Sequence, residues 1–159
     1  MTDDDRDLRV AQVPEAVTEA LRYRVLRPDH PDDPVLVPPD GPHHLATFAA
    51  FPVTDSPIAE GPIATVTVGP EACWWRDDVT RPWRLKWMAA DQGWQGRGVG
   101  GLVLAAAVAH VAAEGADLLW CNARLRAVPF YERAGFTIDG PEFDIEGIGP
   151  HHPMSRPPT

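Results

Sequence analysis

The chain has 159 residues, 44% of them hydrophobic, and a formal net charge of −9. That length suits one domain with one sizeable core; the acidic balance argues against nucleic acid, whose phosphates demand a basic surface, and is compatible with a small cationic substrate. No apolar run reaches the ~18 residues of a membrane span, the acidic start MTDDDRD lacks the basic-then-apolar pattern of a secretory signal, and Cys73 and Cys121 are too few and too far apart for a disulfide framework or a zinc site. A cytoplasmic, metal-free protein with two reduced cysteines is expected.

DLRVAQV (7–13) alternates weakly and reads as a first strand. In PEAVTEALRYRVL, Pro14 suits a first helical turn, Ala16, Ala20, Leu21, Tyr23, Val25 and Leu26 supply an apolar face, and Pro28 stops the helix. Many of the 18 prolines fall in RPDHPDDPVLVPPDGP (27–42), an extended loop. HLATFAAF (44–51) and IATVTVG (63–69) read as an antiparallel hairpin around a Pro/Asp/Ser/Gly turn, and WRLKWMAA (83–90) as the next strand. VGGLVLAAAVAHVAAEG is a helix with Val99, Leu102, Val103, Ala106, His110 and Val111 on one side and Gly115 as its stop. DLLWCNA (117–123) is continuously apolar, as in the middle of a sheet. AVPFYERA (127–134) is a short helix ended by Gly135, and FTIDG and EFDIEGIGPHHPMSR supply the last strands. The order contains no repeat and no second domain, and residues 1–6 and 155–159 read as loose tails.

One stretch interrupts this pattern. DQGWQGRGVGGLVL (91–104) places five glycines just before and inside a helix, where each costs about 1 kcal/mol against alanine. Glycines that open a helix let backbone N–H groups converge on a phosphate, and the helix N-terminus adds unsatisfied donors and positive dipole. Two phosphate ligands compete. Gly96, Gly98 and Gly101 formally match G-x-G-x-x-G, with Asp117 further on. But DQGWQ separates the strand from the glycines, and Asp117 precedes the next strand instead of closing it, so the dinucleotide reading fails. A P-loop fails for want of Lys-Ser or Lys-Thr.

Gln95-Gly96-Arg97-Gly98-Val99-Gly100 fits Q/R-x-x-G-x-G/A, and Asn122 followed by AVPFYERAGF fits N…A…P-F-Y-x-x-x-G-F. With one helix and one strand between them, these blocks resemble the GNAT superfamily of N-acetyltransferases. EGIGPHHPM (146–154) and LRYRVLRP resemble the ElaA-like subgroup, with Gly149 inserted. The resemblance implies an α/β (α+β) fold: a mixed, mostly antiparallel sheet flanked by helices and splayed at its middle strands. It implies acetyl transfer from acetyl-CoA, as co-substrate, to a primary amine by direct attack.

The same resemblance implies roles. The N–H groups of Gln95, Gly96, Arg97, Gly98, Val99 and Gly100 would cradle the pyrophosphate. The main chain of Met88 and Ala90 would pair with the pantetheine arm, with Asn122 bonding the same arm. Tyr131 would be the general acid, since a phenol near pKa 10 is protonated at neutral pH. Gly101 would be a small residue where helix meets sheet. The strand 83–90 carries Arg84 and Lys86 but no carboxylate, so the base is open among His44, Glu60, Asp91, Glu146, His151 and water. That departure also leaves a second reading, a silent acyl-CoA-binding or protein-interaction domain of the same fold. Trp74, Trp75, Trp83, Trp87 and Trp94 are five of the six tryptophans. They suit core packing, an aromatic acceptor pocket or a homodimer surface, with Trp83 and Trp87 on one strand face.

Overall fold

The computed structural model describes residues 8–29, 44–53 and 61–159. The chain divides into two compact units, one of Met1–Thr67 with Trp87–Ala107 and one of Val68–Lys86 with Val108–Thr159. Among the described residues the hydrogen-bonded strand order is β1-β2-β3-β4-β5-β8-β6, with β7 on β8. Strands β3 (Ala64–Pro70) and β4 (Pro82–Ala90) and helix α2 (Val99–Ala113) each run from one unit into the other. The loop of prolines and the turn of the first hairpin lie almost wholly outside the described residues.

In the first unit, β1 (Leu8–Val13) pairs antiparallel with β2 (Ala46–Pro52), from Leu8 against Pro52 to Val13 against Thr47. Contacts between β2 and β3 run in opposite directions along the two strands, as an antiparallel pair requires. The Ile63 N–H donates to Ala50 at 2.9 Å, Thr65 Oγ1 to the Phe48 carbonyl at 3.0 Å, and the Thr47 and Thr67 hydroxyls meet at 2.8 Å. Both faces of these strands are covered, so their composition is nearly continuous in small apolar residues. The buried threonines fit because each hydroxyl has a partner.

Helix α1 (Glu19–Leu26) is preceded by a 3₁₀ turn, Glu15–Thr18, and its inner face differs from the one periodicity predicts. Thr18, Leu21 and Arg22 are buried while Ala16 and Ala20 are exposed, because the tighter turn rotates the following face. On α2 the buried positions are Val99, Gly100, Val103, Leu104, Ala107 and Val111, and Leu102 stands 43% exposed. The i, i+4 rows from Val99 and Gly100 decide the face, and Leu102 falls off both. A Schellman closure ends the helix, with Gly115 at φ 78 and the Ala116 N–H reaching the Val111 carbonyl at 3.2 Å.

In the second unit, β5 (Leu118–Arg124) is central, as its apolar sequence implies. It lies parallel to β4, with Pro82–Arg84 beside Leu118–Trp120, and antiparallel to β8 (Gly149–Arg156), from Leu119 against Arg156 to Arg124 against His151. The strands β6 (Thr137–Ile138) and β7 (Phe143–Ile145) both pair with β8. Ser155 and Arg156 therefore belong to the sheet, and the expected tail shortens to 157–159. Helix α3 (Val128–Arg133) follows a 3₁₀ turn and ends in a second closure at Gly135. Both cysteines are buried free thiols.

Candidate functional site

The glycine stretch folds into a short 3₁₀ turn, Gln92–Trp94, then two left-handed glycines, then α2. Gly96 and Gly98 each have φ 80, a region closed to most side chains, and an added Cβ at either would meet open space. The backbone twist, not crowding, is what demands glycine there. Two of the six expected donors close the turn itself. The Gln95 N–H points to Gln92 O at 3.4 Å and the Arg97 N–H to Trp94 O at 3.3 Å, closing the turn. The first helical bond runs from Leu102 N–H to Gly98 O at 3.2 Å, so Val99, Gly100 and Gly101 contribute the first-turn N–H groups without an intrahelical acceptor. The Gln95 amide donates to Ala90 O at 3.0 Å and holds the turn to the end of β4. Arg97 lies over the Trp94 ring, 5.4 Å from its centroid. At Gly101 a Cβ would touch nothing, so close packing against the sheet is not its reason.

The β4 segment beside this turn is irregular. Trp87 is the one described non-glycine residue with positive φ, at 57, an unusual state for so bulky a side chain. Under its ring lies Arg22, fully buried, with the guanidinium 4.7 Å from the centroid. Trp83, by contrast, is buried edge-on to His110 at 5.8 Å. The left-handed residue breaks the alternation from which a shared face was expected. Met88 and Ala90 follow directly on it.

In the second unit, one face of β4 and β5 carries a polar and aromatic cluster. Arg84 sits beside Trp120 in register and its guanidinium covers that ring at 5.0 Å. The carboxylate that β4 lacks comes from Glu71, just after β3. It accepts from Arg84 Nη1 at 2.8 Å and lies 3.8 Å from Lys86 Nζ. The Glu71 carbonyl is fixed by Trp120 Nε1 at 3.0 Å. Burial pushes the Lys86 ammonium below its ordinary range, against the pull of Glu71. Two residues along β5, Asn122 Oδ1 accepts from Trp74 Nε1 at 3.0 Å. Trp74 packs edge-on against Trp75 and Phe143, at 5.0 and 5.4 Å, and Trp75 against Trp120 at 5.4 Å. Asp139 takes the Trp75 indole N–H and the Ser155 hydroxyl.

Tyr131 is 5% exposed, and its ring is held edge-on by Phe130 at 5.2 Å and Phe136 at 5.3 Å. Burial foremost, and then the neighbouring Cys121, push its phenol well above the ordinary value, so it keeps its proton. The candidates for the base separate. Asp91 is paired with Arg24 at 2.9 Å, Glu146 lies in an exposed turn, His44 is exposed, and Glu60 is outside the described residues. His151 is buried, and its Nδ1 contacts Gly149 O at 2.8 Å. A carbonyl only accepts, so Nδ1 carries the proton.

Glu71 and Arg22 carry no motif, which is why sequence reasoning passed them over. The one signal for Glu71 was the pair of cations, Arg84 and Lys86, two apart on a strand and so facing the same side. Among the described residues no group of His, Cys, Asp or Glu could hold a metal ion, and no helix is long and apolar enough to cross a membrane.

Comparison with known proteins bears on the whole chain. The Escherichia coli protein ElaA superposes with a TM-score of 0.71 at 14% identity, over 95% of this chain and 99% of that one. A candidate N-acetyltransferase from Lactobacillus plantarum reaches a TM-score of 0.75 at 20% identity, over 96% and 99%. An aminoglycoside 6'-N-acetyltransferase in complex with coenzyme A gives 0.66 at 13% identity, over 95% and 97%. At these identities the likeness is one of fold, and the fold is the mixed, mostly antiparallel sheet with flanking helices. In sequence, the chain is 34% identical to the uncharacterized N-acetyltransferase YitI of Bacillus subtilis over 74 residues, which is 46% of this chain and 50% of that one. The chain thus aligns with about half the length of that curated relative. Residues 75–156, more than half of the chain, match the acetyltransferase (GNAT) domain, and the chain belongs to that family.

Proposed function

We propose that the chain transfers an acetyl group from acetyl-CoA to a primary amine. The observation that carries this reading is the left-handed pair Gly96 and Gly98 opening onto the first-turn N–H groups of α2, which have no acceptor within the helix. Those donors, with the positive end of the helix, suit a pyrophosphate. Gly96, Gly98, Val99 and Gly100 would supply the cradle. Gln95 and Arg97 would serve it differently, Gln95 by fixing the turn to Ala90 and Arg97 by its charge. Met88 and Ala90 present a strand edge of the kind an extended pantetheine arm can join, and the Asn122 amide, its oxygen occupied by Trp74, is left to donate.

The amine nitrogen attacks the thioester carbonyl and gives up a proton to a base or to water, the C–S bond breaks, and the sulfur takes a proton. Tyr131, whose phenol stays neutral, is suited to give that proton. The lack of a carboxylate on β4 favours the silent acyl-CoA-binding reading; Glu71, which places a carboxylate against β4, weakens it. The net charge of −9 supports a protein with no nucleic-acid partner, and a cytoplasmic location belongs to the same proposal. Trp74, 59% exposed, is the residue that an acceptor or a second copy would cover.

Calorimetric titration with acetyl-CoA tests the reading directly, and no binding at millimolar concentration overturns it. Tyr131→Phe should then lower kcat while leaving acetyl-CoA affinity intact. Unchanged turnover would remove Tyr131 from the role.

A further inference from the structure

Trp87 is held in a conformation that its own backbone disfavours. At φ 57 a bulky side chain crowds the main chain, and such a residue persists only where its surroundings over-determine it. Beneath its ring lies Arg22, fully buried, with the guanidinium 4.7 Å from the centroid. Arg22 is itself costly to keep there. Its Nη2 donates to Glu15 Oε2 at 2.8 Å, while Nε and Nη1 are buried with no hydrogen-bond partner. A buried cation with unmet donors lowers stability unless another contact offsets it. The ring supplies that offset, since the pull of a cation on an aromatic face grows as water is removed. Two residues that each cost stability thus support one another at a single point of β4.

Upstream of that point β4 is a regular strand, in register with β5 from Pro82 to Arg84. A left-handed residue breaks the pleat and re-aims the peptide groups that follow it, here those of Met88, Ala89 and Ala90. Helix α1 holds the far end of the same segment. Arg24 pairs with Asp91 at 2.9 Å, and the Asp91 N–H donates to the Ile63 carbonyl at 2.8 Å. We propose that Arg22 is a positioning residue for acetyl-CoA: through Trp87 it holds the Met88–Ala90 edge in the shape that the pantetheine arm joins. This rests on the acetyltransferase reading and adds to it a residue outside the cofactor motifs. Arg22 is fully buried and acts through the indole, not on the ligand. A preformed edge spares the arm the cost of ordering its partner on binding, and that gain in binding is what the strained tryptophan and the half-paired arginine provide in exchange for stability.

Variants of the full chain separate this role from a structural one. In Arg22→Met, calorimetry should show acetyl-CoA bound about tenfold more weakly, the scale of a desolvated cation–π contact. ADP, which carries a pyrophosphate and no pantetheine arm, should bind the variant as it binds the parent. Arg22→Lys keeps a cation for the ring and should recover most of the loss. Glu15→Gln leaves the guanidinium under Trp87, so it should lower the thermal melt yet keep the parent's affinity for acetyl-CoA. Without any ligand, amide hydrogen exchange across residues 87–91 should quicken in Arg22→Met more than in Arg22→Lys. If Arg22→Met binds acetyl-CoA as the parent does, or exchanges no faster across 87–91, the positioning role is overturned and the acetyltransferase reading stands. A loss that falls equally on ADP, or that follows the melts of Arg22→Met and Glu15→Gln, overturns the role in the same way. A parent that does not bind acetyl-CoA overturns both.

Discussion

Replacing Glu15 by glutamine should destabilise the protein more than deleting the arginine it serves. Arg22 is fully buried and Glu15 is 34% exposed, with Nη2 and Oε2 2.8 Å apart. Arg22 Nε and Nη1 are buried without a hydrogen-bond partner. In Glu15→Gln the guanidinium stays buried but loses its counter-charge. Breaking a fully buried pair costs about 3–5 kcal/mol; with one partner a third exposed, about 2 kcal/mol is the expected loss. In Arg22→Met the ion pair goes as well, and so does a cation–π contact worth up to about 2 kcal/mol. But two orphaned donors vanish, each costing about 1–3 kcal/mol, Glu15 returns to water, and a thioether of similar reach fills the space over Trp87. The balance is near zero or stabilising. Urea melts followed by circular dichroism, with Cm compared at constant m, measure both. For a chain of this size, about 2 kcal/mol corresponds to roughly 4–8 °C in Tm. The double variant should resemble Arg22→Met alone. If Arg22→Met is the more damaging single change, the reasoning fails, and the arginine contributes far more through Trp87 than its geometry allows.

The glycines of the turn and of the helix should respond in opposite directions. Gly98→Ala forces a side chain into φ 80 and should cost about 1–2 kcal/mol while weakening acetyl-CoA in calorimetry; Gly101→Ala, in open space on the first turn of α2, should stabilise by about 0.5–1 kcal/mol in the same melts. Asp117 accepts from the Thr80 N–H at 2.8 Å, the Thr80 hydroxyl at 3.0 Å and the Arg81 N–H at 3.0 Å, and the Thr80 N–H foremost holds its carboxyl below the ordinary range. Its contribution is present above the unfolded pKa of about 3.9 and is lost as pH falls through the lower folded value. Asp117→Asn should therefore lower Tm near neutrality and converge with the parent in acid; a gap that persists undiminished at low pH would contradict this.

The fold was legible where one periodicity dominates. Residues 118–121 are apolar without interruption because that part of β5 is covered on both faces, and the glycines at 115 and 135 mark helix ends because a left-handed residue must stand there. Legibility failed where tertiary contacts outvote the pattern. Leu102 matches a helical stripe but loses its place to Leu104 and Ala107, since the covered rows are those from Val99 and Gly100. Ser155 and Arg156 look like the start of a tail, with three of the last five residues polar or basic. Yet Ser155 meets Asp139 and Arg156 donates to the Ala134 carbonyl at 2.6 Å, and these bonds carry the strand to its end.

The candidate site divides along the same line. Gly96, Gly98 and Tyr131 stand in the local blocks that carry the family resemblance, so that resemblance names them in the sequence. Glu71 is found by the fold alone. A search for a carboxylate on β4 returns two cations, and read by itself that suggests a missing group. The sheet answers it differently: the antiparallel neighbour of β4 ends at Pro70, the next residue delivers the carboxylate, and Trp120 from the strand on the other side of β4 holds that residue's carbonyl. Arg84 and Lys86 are thus better read as one half of a charge cluster whose other half is supplied across strands. A deficit judged along one strand is made good once its neighbours are counted.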